Sequence, residues 1–181
     1  MRRMYSKKQL QEEALQGLVN ADVKVKTIEQ SEPNWSISFE PEMSTSAVAK
    51  GLTITNIYNR LQVINNILYI VMVNKVLNET GSAISYGSPD GVSGEITLPE
   101  EIADKIYDIN GKKLSETGTG SVDISSNPNG IQTGVGYAPQ RMSLTHNGVN
   151  KLKITLEPSP SLSITASNSV STFGRTFLTL I

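Results

Sequence analysis

The chain contains one histidine and no cysteine, so any chemistry must be assembled from hydroxyls, carboxylates, amides and lysines. His146 precedes Asn147-Gly148. A Ser–His pair or metal cluster built around it has no sequence signature, and the expectation is a solvated turn residue. Asp108-Ile109-Asn110-Gly111 starts like a calcium loop. Such a loop needs Gly at its sixth position and a distant Glu; here Gly comes fourth and the register fails. Gly130 to Gly136, GIQTGVG, lacks the Lys-Ser/Thr of a phosphate loop and opens no helix. It reads as a loop, or as a strand with close backbone approach. Glu100 and Glu101 are adjacent, and adjacent residues on a helix do not face one site; helix-start electrostatics accounts for them. Asn34-Trp35-Ser36 and Asn78-Glu79-Thr80 match the glycosylation triplet, which has no meaning without a secretory signal. Tyr86, Tyr107 and Tyr137 lie near predicted loops, where exposed rings beside amides and carboxylates suit sugars. They are the candidate ligand-facing residues, with rim or core packing as the alternative. No catalytic residue, metal ligand or cofactor site emerges.

The elements that would position these groups are short and polar. Of 181 residues, 38% are hydrophobic and 18% charged, with a net charge of −1. That is enough for one core plus a small appendage. Ser, Thr, Asn and Gly fill the gap, a mixture suited to short strands joined by polar turns. The chain has no basic stripe for nucleic acid and no electrostatic footprint for an anionic membrane. Without cysteine, disulfides, thiolate chemistry and Cys-based zinc sites are excluded. The opening MRRMYSKKQLQEEALQG is basic but has no apolar run behind it. It reads neither as a secretory signal nor as a myristoylation start, so a cytoplasm, or release from one by lysis, is expected.

The most apolar stretch is NNILYIVMVNKV, Asn65 to Val76. A membrane helix needs about 20 apolar residues, and ILYIVMV is far too short. Its β-branched and aromatic residues favour a strand, and its lack of alternation predicts a central strand covered on both faces. Asn65-Asn66 suits a two-residue turn, giving a hairpin from about Tyr58 to Val76. Asn147-Gly148 predicts a second hairpin, flanked by Met142, Leu144 and by Leu152, Ile154, Leu156. Further strands are expected at GLTITNIY, SAISYG, VSGEITL, LSITAS and GRTFLTLI, the last tying apolar Ile181 into a sheet. Pro99, the two glutamates, Ile102 and Ile106 predict a short helix over 99–107. Residues 115–130 read as an exposed polar loop.

Near the start, Ser6 to Gln9 fits a capping box, and Leu10, Ala14 and Leu18 share one helical face. A helix over about 7–16 is too short to hold alone, so its stripe needs a partner. VKVKTIE and WSISF alternate as short strands, the latter placing Trp35, Ile37 and Phe39 on one side. Residues 1–45 therefore read as an attachment and oligomerisation segment, with Leu10, Ala14, Leu18 and Trp35 as its anchors. An edge of the following sandwich is the alternative. Residues 46–181 read as the domain: mainly β, an antiparallel, jelly-roll-like β-sandwich with one short internal helix.

MRRMYSKKQLQEEALQG, VKVKTIEQSEPNWSISF, RLQVINNILYIVMVNKVLNETGS and the terminal GRTFLTLI together resemble small structural proteins of tailed bacteriophages, the head fibre class. The resemblance is loose and strongest over residues 1–40. It implies a non-enzymatic virion protein assembled in the host bacterial cytoplasm. An N-terminal anchor would bind capsid or tail proteins, and a β-sandwich would project, commonly as a homotrimer, with weak adhesion to host-surface glycans. A tail fibre or receptor-binding tip is the near variant. A monomeric carbohydrate-binding module is the other reading, and an enzyme on a β scaffold the most distant.

Overall fold

Asn65 and Asn66 adopt φ of 52° and 60° in this computed structural model, which describes residues 34–122, 130–133, 136–158 and 161–181. Positive φ at both central residues makes the tight turn whose twist matches the strands it joins. It connects β3 (Leu52–Ile64) to β4 (Ile67–Asn78), with Ile64 paired to Ile67. The predicted hairpin is therefore present, and longer than expected. GLTITNIY belongs to the same strand as RLQVI, continued through a register shift between Asn56 and Tyr58. Such a bulge adds a residue and bends the strand.

β4 is central, between β3 and β12 (Ser169–Thr179). It is not dry on both faces. Leu68, Ile70, Met72 and Val76 are buried, whereas Val71 and Val73 are only half-buried and Tyr69 is exposed. The expectation fails because an uninterrupted apolar run shows that both faces are apolar, not that both are covered. Among the described residues, no helix is long and apolar enough to cross a membrane.

Two antiparallel layers pack together. The first runs β1 (Trp35–Ser38), β3, β4, β12, β8 (Gly130–Thr133). The second runs β9 (Gly136–His146), β10 (Lys151–Pro158), β6 (Val92–Thr97), β2 (Glu42–Met43), with β7 (Ser121–Val122) beside β9. β9 joins the layers: its start pairs with β8 and its remainder with β10. β5 (Ile84–Tyr86) pairs with β11 (Leu162–Ile164) as a separate sheet. Leu61, Leu68, Ile70 and Met72 from the first layer and Leu144, Leu152, Ile154 and Leu156 from the second fill the core. Gly174 on β12 marks the contact. A Cβ there would lie 2.7 Å from Leu156 Cδ1 and 3.2 Å from Met142 Cε, so a larger residue would have to push the ends of two core side chains aside.

The mainly β sandwich agrees with expectation, with two very short helices, α1 (Thr45–Ala49) and α2 (Glu100–Ala103). α1 was not foreseen from sequence. Its signal is a single cap, Ser44 Oγ accepting from Ala47 N at 3.4 Å. α2 is shorter than 99–107 and takes Pro99 as its cap rather than its first residue. Beyond it the chain turns into paired extended backbone: Tyr107 bridges Lys113, and Leu114 N donates to Ile106 O at 2.9 Å. β1 and β2, sequence-assigned to the attachment segment, pair with β3 and β6 inside the unit Glu32–Ile181. The helix expected over 7–16, with Leu10, Ala14 and Leu18, lies outside the described residues, as does VKVKTIE.

The second hairpin is present, but its connection is four residues, Asn147 to Asn150, with positive φ at Gly148 and Asn150. Tertiary bonds decide this. Gly148 N donates to Gly118 O at 3.1 Å, Asn150 N to Leu114 O at 2.8 Å, and Leu98 N to Asn150 O at 2.8 Å. The same contacts pin residues 114–122 across the end of β9, so this part of the expected polar loop is held in place.

Candidate functional site

The outer face of the first layer shows exposed aromatic and aliphatic side chains around two arginines and a glutamine. β12, β4 and β3 place three residues side by side in each cross-strand row. One row is Phe177, Tyr69 and Gln62; the next is Arg175, Val71 and Arg60; the third is Phe173, Val73 and Tyr58. Tyr69 and Phe177 approach at 6.4 Å between ring centroids, tilted by 42°, within the range of favourable aromatic pairs. Ile57, Tyr58, Tyr69 and Phe177 are exposed. The bulge turns Ile57 and Tyr58 outward beside a cleft of about 320 Å³ that also includes Phe39 and Glu40. Arg60 Nη2 donates to Ser36 Oγ at 3.0 Å, which anchors one cation across this face.

A second cleft, of about 430 Å³, opens at the β3–β4 turn. Trp35, Val63, Ile102 and Leu180 supply its apolar lining, and Asn34, Asn65, Asn66, Glu101 and Lys105 its polar lining. Each wall is tied by backbone hydrogen bonds. Asn34 N donates to Val63 O at 2.8 Å, Leu180 N to Asn66 O at 2.8 Å, and Ile181 N to Lys105 O at 3.2 Å. Trp35, expected as an anchor, sits half-buried against the core and lines this cleft. Asn65 and Asn66 were read from sequence as turn formers, Asn34 as part of a glycosylation triplet, and Glu101 as a helix-start charge. Nothing in sequence spacing connects positions 34, 65 and 101; the sheet does.

Of the candidate ligand-facing tyrosines, Tyr86 is fully buried and does not face solvent. It ends β5, and its ring completes the core. Burial pushes its phenol well above the usual range, and the negative charges of Asp90 and Glu157 push the same way. Tyr107 is exposed. Tyr137 lies in β9, paired with Gln132 of β8. Tyr107 lines neither of the two clefts, and the side chain of Tyr137 lies outside the described ones.

Asp90 is fully buried and its Oδ2 accepts from Lys50 Nζ at 2.6 Å and Gly87 N at 3.1 Å. Burial alone would raise its carboxyl, but these donors win and hold it below the ordinary range. His146 is also fully buried, contrary to the solvated turn residue expected. The segment carrying Gly118 crosses its ring so closely that a Cβ there would lie 2.6 Å from Nδ1. Asp108 shapes its own loop instead of a calcium site: Oδ1 accepts from Asn110 N at 2.8 Å and Lys112 N at 2.9 Å. The Lys112 amide is the main reason its carboxyl is held low. Among the described residues, no group of three or more His, Cys, Asp or Glu could hold a metal ion.

No family model matches the chain, and neither a curated protein nor a solved structure is significantly similar to it.

Proposed function

We propose that this chain is a structural protein of a tailed-bacteriophage virion. It would be a head fibre whose N-terminal segment anchors to other virion proteins and whose jelly-roll-like sandwich assembles as a homotrimer. A tail fibre or receptor-binding tip is the same reading at another virion site. The role is adhesion rather than catalysis: weak contacts to host-surface glycans, strengthened by many copies. The observation that carries the reading is the uncovered apolar face on β3, β4 and β12. The rows around Tyr69 span roughly 300 Å², from strand spacing and rise, and set exposed apolar side chains around Arg60 and Arg175; exposed apolar surface rimmed by polar residues is commonly an interaction site. Association with further copies removes such a face from water, and closed symmetry keeps the assembly finite. The amphipathic stripe of Leu10, Ala14 and Leu18, which needs a partner on sequence grounds, supports the same reading.

The test is the mass of the full chain in solution, by light scattering after size exclusion. Three times the 19.6 kDa chain mass is the expected result. A monomer at every concentration would overturn the fibre reading and leave the carbohydrate-binding module in its place.

A further inference from the structure

We propose that the cleft at the β3–β4 turn is a binding site for an uncharged pyranose sugar, with Trp35 as its stacking platform. The inference deepens the adhesion half of the function proposed above by assigning it a location. Its failure is separable from that of the virion reading, because one is read by sugar titration and the other by mass.

The composition of the cleft carries the argument. A pyranose presents a face of C–H bonds with slight positive charge and a rim of hydroxyls. The C–H face lies against the negative face of an aromatic ring; the rim needs donors and acceptors at fixed positions. Trp35 is half-buried, packed against the core while lining the cleft, as a stacking ring must be. Asn34, Asn65 and Asn66 line the same opening, and a carboxamide can both donate and accept. Glu101 adds a carboxylate acceptor and Lys105 an ammonium donor. Neither is held in an ion pair among the described residues. One negative and one positive group leave no net charge to favour an ionic ligand.

Volume and rigidity agree with this assignment. The cleft, about 430 Å³, lies within the roughly 300–1,000 Å³ of small-molecule sites. Asn65 and Asn66 stand on a turn fixed by positive φ at both residues and by the Leu180 N to Asn66 O bond. Little conformational freedom is therefore lost when a ligand arrives. The other cleft, beside Tyr58, has a single carboxylate, Glu40, and no balancing cation. It meets these requirements less well.

The chain supplies its own reporter, since Trp35 is its single tryptophan. Emission from the full-length protein is titrated with glucose, galactose and N-acetylglucosamine, each to about 100 mM, and saturation-transfer NMR is recorded on the same mixtures. The expected result is a saturable change in Trp35 emission for at least one sugar, with a Kd of about 0.1–10 mM, the strength of a small open site. Trp35→Ala should weaken the NMR-detected affinity at least tenfold, whereas Trp35→Phe keeps a ring and most of the binding. Asn66→Gly, which removes a carboxamide where the backbone already suits glycine, should weaken it several-fold with an unchanged melting temperature. Absence of saturable binding for all three sugars overturns the proposal. So does binding that survives both Trp35→Ala and Asn66→Gly at full strength.

Discussion

The two outer faces of the sandwich are built from the same alternating strands and differ in how much apolar surface they show. On the second layer the outward positions are Lys151, Lys153 and Thr155 of β10 beside Glu95 and Thr97 of β6. Lys151 Nζ meets Glu95 Oε1 at 2.9 Å, and Asn147 Nδ2 donates to the other oxygen. Those bonds hold the Glu95 carboxyl below its ordinary range, and Lys151 and Lys153 are exposed. On the first layer the equivalent positions carry Tyr58, Tyr69, Val71, Val73, Phe173 and Phe177, with Arg60, Arg175 and Gln62 set among them. A strand needs polar outward residues only where water is its final neighbour. On the function proposed above, the first layer is the face that another copy of the chain would cover.

The largest effect should come from reversing the chemistry of the apolar face. Tyr69→Glu with Phe177→Glu puts two charges into one cross-strand row, and the mass in solution should fall to that of the single chain. Lys153→Glu makes an equally large charge change on the second layer and should leave the mass unchanged. If both variants keep the assembly, the apolar face is not the interface.

Next in size are the two sides of one strand. Ile70 is fully buried, and its neighbour Val71 is half-buried on the outer side. Ile70→Ala should cost about 2–5 kcal/mol of unfolding free energy, transfer plus cavity. Val71→Ala should cost under about 1 kcal/mol in the dissociated chain. Urea denaturation of both variants in the monomerised background measures the difference. Equal costs would mean that β4 is dry on both sides, as its sequence pattern first implies.

Lys50→Met probes the buried carboxylate that the sandwich does tolerate. Removing one partner of a buried pair leaves the other charge uncompensated. Lys50 is itself exposed, so solvent screens part of the loss, and about 1–2 kcal/mol is expected at neutral pH. The folded carboxyl of Asp90 is held low. Its contribution is therefore complete above the unfolded carboxylate range and lost as pH falls through about 4 and below. Urea midpoints between pH 7 and pH 3 should drop steeply for the native chain and less steeply for the variant. Parallel curves would show that the pair does not set acid stability.

How far the sequence reached is clearest at its two asparagine turns. Asn65-Asn66 was legible as a tight hairpin because its geometry is local: both residues need only positive φ, which asparagine tolerates. Asn147-Gly148 was legible as a hairpin but not as a four-residue connection, because bonds from Leu114 and Gly118, some thirty residues earlier, set its shape. His146 was misread for the same reason; residues 114–122 bury it, and no neighbour in sequence announces them. The sandwich was readable from alternation and turn spacing. The clefts were not, since Trp35, Asn66 and Glu101 meet only once β1, the β3–β4 turn and α2 share an edge of the fold.

The smallest effect tests the turn on which one cleft stands. Asn66→Ala forces a Cβ-bearing residue without a helpful amide into φ near 60°, a cost of about 1 kcal/mol. Asn66→Gly removes the same amide and relieves that constraint in the folded state, while adding entropy to the unfolded chain, so its net change should stay within about 0.5 kcal/mol. Both variants lose the carboxamide, so both should bind sugar alike while differing in thermal stability. If Asn66→Ala proves as stable as Asn66→Gly, the turn is not held at positive φ in solution, and the rigid wall of the cleft goes with it.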